Sequence, residues 1–208
     1  MKTCCQTALA IFFAAIATAY AAPAPLFDGK TFNGWDGDTN KTWRIEAEAL
    51  VGGSLTQNVP RNEFLATLRQ YTNFVLRLKF KLEGRSGFIN AGVQIRSQRA
   101  TNPPNEMIGY QADIGEGWHG CLYDESRRNK VLARPSADVK KIIKTNDWNE
   151  YVIRCEGRRI QTTINGVPMI DYTEPDESIP QYGRIGLQIH GGAVAEVRYK
   201  DITVEELP

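Results

Sequence analysis

The chain has little cysteine and still less histidine. Of 208 residues four are Cys and two are His, and only Cys121 and Cys155 lie beyond the first few positions. No C-x-x-C spacing occurs, so a zinc ribbon or a thioredoxin-like redox site is excluded. Whether Cys121 and Cys155 form a disulfide stays open, because sequence alone does not bring their Cα atoms within bonding range. An excess of one charge is missing too: 25 Lys and Arg face 24 Asp and Glu. There is thus no broad basic field for phosphates, and nucleic acid is not an expected partner. Beyond the N-terminal stretch no run is apolar enough to cross a bilayer, so no membrane span is expected. Nor does any apolar pattern of helical period last more than about two turns.

At the start, Lys2 precedes an uncharged run from Ala8 to Ala22 that ends in the small residues of Ala19-Tyr20-Ala21. This is the pattern of a secretory signal peptide over residues 1–21, and it predicts a secreted or periplasmic protein. The run is about 15 residues, shorter than the ~20 needed to span a membrane. Residues 22–208 carry no long linker or charge block and read as a single domain with room for a sizeable core.

That remainder consists of short alternating segments punctuated by Gly, Pro, Asn and Asp, which predicts an all-β sandwich or barrel. The clearest strand is Phe74 to Leu82: Phe74, Leu76, Leu78, Phe80 and Leu82 share one face, Arg77, Lys79 and Lys81 the other. Others are expected at Trp43–Glu46, Ala49–Val51, 91–96, 110–114, 120–123, 148–156, 159–164, 184–190 and 194–204, with a pair bracketing Val59 to Leu68. Asn165-Gly166 favours a type I′ turn and so a hairpin. Ser97–Glu106 and Ser126–Lys144 are too polar for core strands and read as loops, the second with a short helix within Ala137–Ile143.

Several ordered motifs carry a resemblance: Leu26-Phe27-Asp28-Gly29-Lys30 with Gly34-Trp35, then Asn90-Ala91-Gly92-Val93-Gln94-Ile95-Arg96. Gly109-Tyr110-Gln111-Ala112-Asp113-Ile114-Gly115, Gly120-Cys121-Leu122-Tyr123-Asp124-Glu125, Asp147-Trp148-Asn149, Ile164-Asn165-Gly166 and Gly186-Leu187-Gln188-Ile189-His190 follow. Together they resemble the 3-keto-disaccharide hydrolase domain family over nearly the whole of residues 22–208. The resemblance implies a concanavalin A-like jelly-roll sandwich of two antiparallel sheets, export, and action on glycosides oxidised at carbon 3 of the sugar. A sugar 3-dehydrogenase in the same pathway would then supply the substrate.

Independently, three predicted strands alternate apolar residues with hydrogen-bonding ones: Gln94 and Arg96, Gln111 and Asp113, Gln188 and His190. Residues at i and i+2 share a face. Amides, a guanidinium, a carboxylate and an imidazole suit sugar hydroxyls better than the Lys, Glu and Thr of a merely wet face. If these strands are neighbours, the six side chains line one concave wall, with Tyr110, Trp118 and Tyr123 as aromatic surface near its rim. Trp35, Trp43 and Trp148, near strand ends, read as core.

A retaining glycosidase on such a fold needs two carboxylates about 5 Å apart, commonly as Glu-x-Asp-x-x-Glu. Here the stretch is Gln111-x-Asp113-x-x-Glu116, and an amide cannot be the nucleophile. A 3-keto sugar asks for less: one base to take the proton from carbon 2 and one group to hold the enolate. Asp113, His119 and His190 are the candidate bases. Arg96 is the candidate oxyanion holder, with Gln94 and Gln188 donating and Gln111 and Glu116 completing the sugar contacts. No ligand spacing marks a cofactor. Asp113, Glu116, Asp124 and Glu125 are the oxygen-rich set that could host a divalent cation, calcium at a structural loop site being the ordinary case. The alternative to an enzyme is a non-catalytic, lectin-like carbohydrate-binding module.

Overall fold

The computed structural model describes residues 22–208; the predicted signal peptide lies outside the described residues. In chain order the strands are β1 (Ala24–Pro25), β2 (Trp35–Asp36), β3 (Trp43–Glu46), β4 (Ala49–Gly53), β5 (Glu63–Tyr71), β6 (Phe74–Gly87), β7 (Asn90–Arg99) and β8 (Met107–Gly115). They continue with β9 (Leu122–Glu125), β10 (Lys130–Ala133), β11 (Asn149–Glu156), β12 (Arg159–Ile164), β13 (Val167–Thr173), β14 (Gly183–Ile189) and β15 (Ala193–Glu206). One sheet runs β13-β12-β11-β6-β15-β4-β3, with β1 also on β15; the other runs β10-β9-β8-β7-β14-β5-β2. All pairings are antiparallel. This is an all-β sandwich, one of the two architectures the alternation predicts, in the jelly-roll form that the resemblance implies.

The core lies between the sheets. Leu76, Leu78 and Phe80 of β6 and Val197 and Tyr199 of β15 meet Val93 and Ile95 of β7, Ala112 and Ile114 of β8, and Leu187 and Ile189 of β14. Each is essentially buried, so a truncation to Ala among them removes both transfer energy and packing. Arg77 and Lys79 on the other face of β6 stay exposed, as the period of two requires. Asn165 and Gly166 both have positive φ, 51° and 78°, as a type I′ turn demands.

Two local expectations change. The pair of strands bracketing Val59 is one strand, β5, preceded by an isolated bridge from Val59 to Ala193. The basic stretch after Ser126 contributes β10 at the sheet edge, and its helix is a single 3₁₀ turn at Val139–Lys141. Cys121 and Cys155 are both buried free thiols. Among the described residues no helix is long and apolar enough to cross a membrane.

Candidate functional site

The strand register builds the site row by row, since directly paired residues share a face. Across β5, β14, β7 and β8, Phe64, Gln188, Gly92 and Asp113 lie in one row. In the next, Ala66, Gly186, Gln94 and Gln111 continue to Tyr123 on β9. Beyond the first row stand His190, whose backbone N–H donates to the Asn90 carbonyl, and Asn90 opposite Gly115. Because Val93, Ile95, Ala112, Ile114 and Leu187 fill the core, these rows occupy the opposite face of the sheet. Gln94, Gln111, Asp113, Gln188 and His190, from three separate segments, are thereby brought onto one wall.

Glycine matters at two places on it. A Cβ on Gly92 would stand 2.7 Å from the Gln111 side chain, and one on Gly186 would stand 2.6 Å from the Met107 sulfur. Both glycines leave room for neighbours to lean across the floor. From the core side, the Tyr199 hydroxyl lies 3.0 Å from the carbonyls of both Gly92 and Gln188, tying β7 to β14 beneath that floor.

A one-way hydrogen-bond chain then orients the polar groups. The Ser97 hydroxyl donates to Gln94 Oε1 at 2.6 Å, Gln94 Nε2 to Gln111 Oε1 at 3.0 Å, and Gln111 Nε2 to Asp113 Oδ1 at 2.9 Å. Asp113 Oδ2 makes no well-formed hydrogen bond, although the Asn90 side chain stands near enough to favour the ionised carboxyl, and neither atom of the Gln188 amide has a partner. Asp113 is 2 % exposed and Gln188 fully buried. Unsatisfied polar atoms in such surroundings are costly, and they mark positions that a ligand can satisfy.

Burial pushes the Asp113 carboxyl up to about 7, against the lowering effect of the Gln111 N–H and with help from the negative charge of Glu125. Glu125 is itself pushed up to about 6 by burial and then by Glu106. The folded protein therefore holds the Asp113 proton more tightly than the unfolded chain does, whose value is near 3.8. Asp113 supports folding fully below about pH 4, and that support is lost as the pH rises through about 7, a swing of roughly 4 kcal/mol at most. Asp113→Asn keeps an acceptor for Gln111 and has no proton to lose. We expect it to match the wild type in denaturant unfolding below pH 4 and to be more stable by about 2 kcal/mol at pH 8. A stability difference that does not change with pH would contradict this account.

Arg96 departs from the expected wall. A β-bulge between Ile95 and Gln98 interrupts the β7–β8 register, and Arg96 takes φ 50°, which turns its side chain out of the alternation. Its Nε donates to the Thr72 carbonyl at 2.7 Å, and Nη1 to the Gly157 carbonyl at 2.6 Å and to Gln181 Oε1 at 2.7 Å. Arg96 is a buried clip between turns, away from Asp113.

Tyr110 is corrected likewise. It points into the core, with its hydroxyl 2.8 Å from Glu174 Oε2, because it alternates with Gln111. His119 turns inward and stacks on Phe80 at 6.3 Å, with Nδ1 accepting from the Gly115 N–H at 3.2 Å; burial lowers it to about 4. His119 and Glu116 line a separate cleft of about 830 Å³ at one end of the sandwich. The four acids proposed for a cation do not assemble either. Asp124 is buried against Arg127 and Arg128, and among the described residues no group of three or more His, Cys, Asp or Glu could hold a metal.

Trp118 and Tyr123 do stand together at the rim, ring centroids 6.0 Å apart and edge to face. Trp35 and Trp43 are core, and Trp148 is half-buried beneath Lys200, whose Nζ is 4.3 Å from its ring centre. Sequence reasoning missed Phe88 and Ser97. The first could have been noticed as a large aromatic in the turn Gly87-Phe88-Ile89. The second sits at a bulge that no pattern announces.

Solved structures of similar shape include a candidate glycosyl hydrolase of Parabacteroides distasonis, at TM-score 0.65 and 18 % identity, covering 88 % of this chain and 93 % of that one. The carbohydrate-binding module CBM66 of Bacillus subtilis follows at 0.64 and 18 %, covering 83 % and 96 %. A legume lectin-like domain from Entamoeba histolytica has 0.55 and 13 %, covering 89 % and 97 %. At these identities the likeness establishes the jelly-roll fold. No curated protein matches the chain in sequence. Residues 22–205 match the model of one family, and with it the chain takes a carbohydrate-active role: it belongs to the 3-keto-alpha-glucoside-1,2-lyase-like domain family.

Proposed function

We propose that the protein is an exported enzyme that cleaves the glycosidic bond of 3-keto-glycosides by elimination across carbons 1 and 2. The observation that carries this is the pair of unpartnered groups flanking Gly92: Asp113 Oδ2 on β8 and the Gln188 amide on β14. Their strands are two interstrand spacings apart, about 10 Å, and over the Gly92 between them lies the Gln111 side chain, in the space a Cβ there would fill. Asp113 is poised as a general base near neutral pH, since its carboxyl is pushed up to about 7.

In the reaction Asp113 Oδ2 takes the proton from carbon 2, and that bond's electrons form the enolate with the carbon 3 oxygen. The Gln188 N–H donates to this oxyanion. The enolate then collapses, the carbon 1–oxygen bond breaks, and a double bond forms between carbons 1 and 2. The leaving oxygen takes a proton from Nε2 of the His190 imidazolium; when water later adds, its proton returns to that nitrogen and Asp113 returns its own to carbon 2. His190 Nδ1 is 2.7 Å from the Gly191 carbonyl, which can only accept, so Nδ1 carries a hydrogen and Nε2 is the nitrogen left to act as the acid. Water adding afterwards at carbon 1 makes the net reaction a hydrolysis. The oxidation at carbon 3 is the work of a separate sugar 3-dehydrogenase.

The test is to incubate the purified protein with 3-keto-trehalose and a 3-keto-glucoside beside their unoxidised parents and to follow release of the leaving group. Release from the oxidised sugars alone is expected. A protein that binds these sugars and releases nothing is a binding module, and cleavage of the parents alone would overturn the elimination chemistry.

A further inference from the structure

Phe88 occupies the turn between β6 and β7 and is 44 % exposed, although it touches the site. Its ring stands edge to face on His190, centroids 4.8 Å apart at 80°, and on Trp118, 6.3 Å apart at 88°. Trp118 in turn meets Tyr123 at 81°. Near-perpendicular contacts set one ring's edge on a face of the next, and Phe88 still keeps nearly half of its surface open to solvent. The Arg134 guanidinium lies 5.8 Å from the Trp118 ring centre and braces that indole.

The position of this wall says which part of a ligand it meets. His190 is one row beyond Gln188 on β14, and successive rows on a strand face are about 7 Å apart. Phe88, against the far side of His190, is therefore displaced from the Asp113 row by about the length of one further ring. Polar groups line the floor, where hydroxyls must be bonded, and carbon surface lines the end wall.

We propose that Phe88, with Trp118 beside it, is a specificity-determining residue that packs on a second ring joined to the ring held over Asp113. The ligand class is a glycoside whose leaving group is itself a ring with an apolar face, a second hexose or an aromatic aglycone. Which ring is cleaved rests on the function proposed above; the preference for two rings does not.

Phe88→Ala and Phe88→Trp separate the two. Binding of trehalose, of phenyl β-glucoside and of methyl glucoside is measured by titration calorimetry, and cleavage is followed on the 3-keto form of each. Phe88→Ala should bind both two-ring ligands about tenfold more weakly and methyl glucoside within twofold of wild type, with Phe88→Trp restoring the two-ring affinity. Equal losses on all three ligands, no loss on any, or a wild type that binds no two-ring ligand would overturn the proposal. If no 3-keto substrate is cleaved, the enzymatic reading fails while the calorimetry still decides the role of Phe88. Because Phe88 is exposed in a turn, the Ala variant should melt within a few degrees of wild type, which confirms that a lost affinity is local.

Discussion

Asp113→Asn should lower kcat/KM on 3-keto-glycosides by two orders of magnitude or more, about 2.7 kcal/mol of lost transition-state stabilisation, while sugar binding stays within a few-fold of wild type. The amide accepts the Gln111 hydrogen bond as the carboxylate does, so the chain from Ser97 through Gln94 keeps its direction. What is lost is the lone pair that takes the carbon 2 proton. In the wild type, kcat/KM should rise as Asp113 gives up its proton through about pH 7. That rise should vanish from whatever activity the variant retains. Activity within fivefold of wild type would remove Asp113 from the chemistry. The same substitution is expected to stabilise the protein at pH 8, so an inactive variant of raised stability would show that the site keeps a buried carboxylate at the expense of folding energy.

The largest stability effect belongs to Arg96. Replacing it by Ala should cost about 3–5 kcal/mol in denaturant unfolding, because the carbonyls of Thr72 and Gly157 and the Gln181 amide oxygen lose a charged donor together. These three acceptors come from the β5–β6 turn, the β11–β12 turn and the segment before β14, so one side chain links both sheets. Arg96→Lys should recover only a small part of the loss, since an ammonium cannot reproduce the planar fork. Arg96→Ala that remains folded at low temperature should turn over substrate within a few-fold of wild type. A large catalytic defect without destabilisation would instead return Arg96 to the site.

Both predictions trace how far alternation along a strand can be read. Leu76, Leu78 and Phe80 are legible as core and Arg77 and Lys79 as surface because a period of two is local. The same logic assigns Gln94, Gln111, Asp113 and Gln188 to one kind of face. It fails at Arg96, because a bulge inserts residues into the register and the following side chain is re-aimed. Tyr110 departs from the rim for a different reason: it directly precedes Gln111 on a strand and so faces the other way, into the core. His119 could not be placed, since it lies in a loop without period, and its inward turn follows from packing on Phe80.

From its amino acids alone this protein settles the all-β class, the faces of its regular strands and the residue types available for sugar chemistry. All of these depend on contacts between near neighbours in the chain. Tertiary structure decides that β8, β7 and β14 lie side by side, that Gly92 makes room for the Gln111 side chain beside Asp113, and that Phe88 meets His190 across about a hundred residues of sequence. Strand order and the unpartnered atoms beside Gly92 arise from long-range pairing, in which each contact's energy depends on where distant segments have already docked.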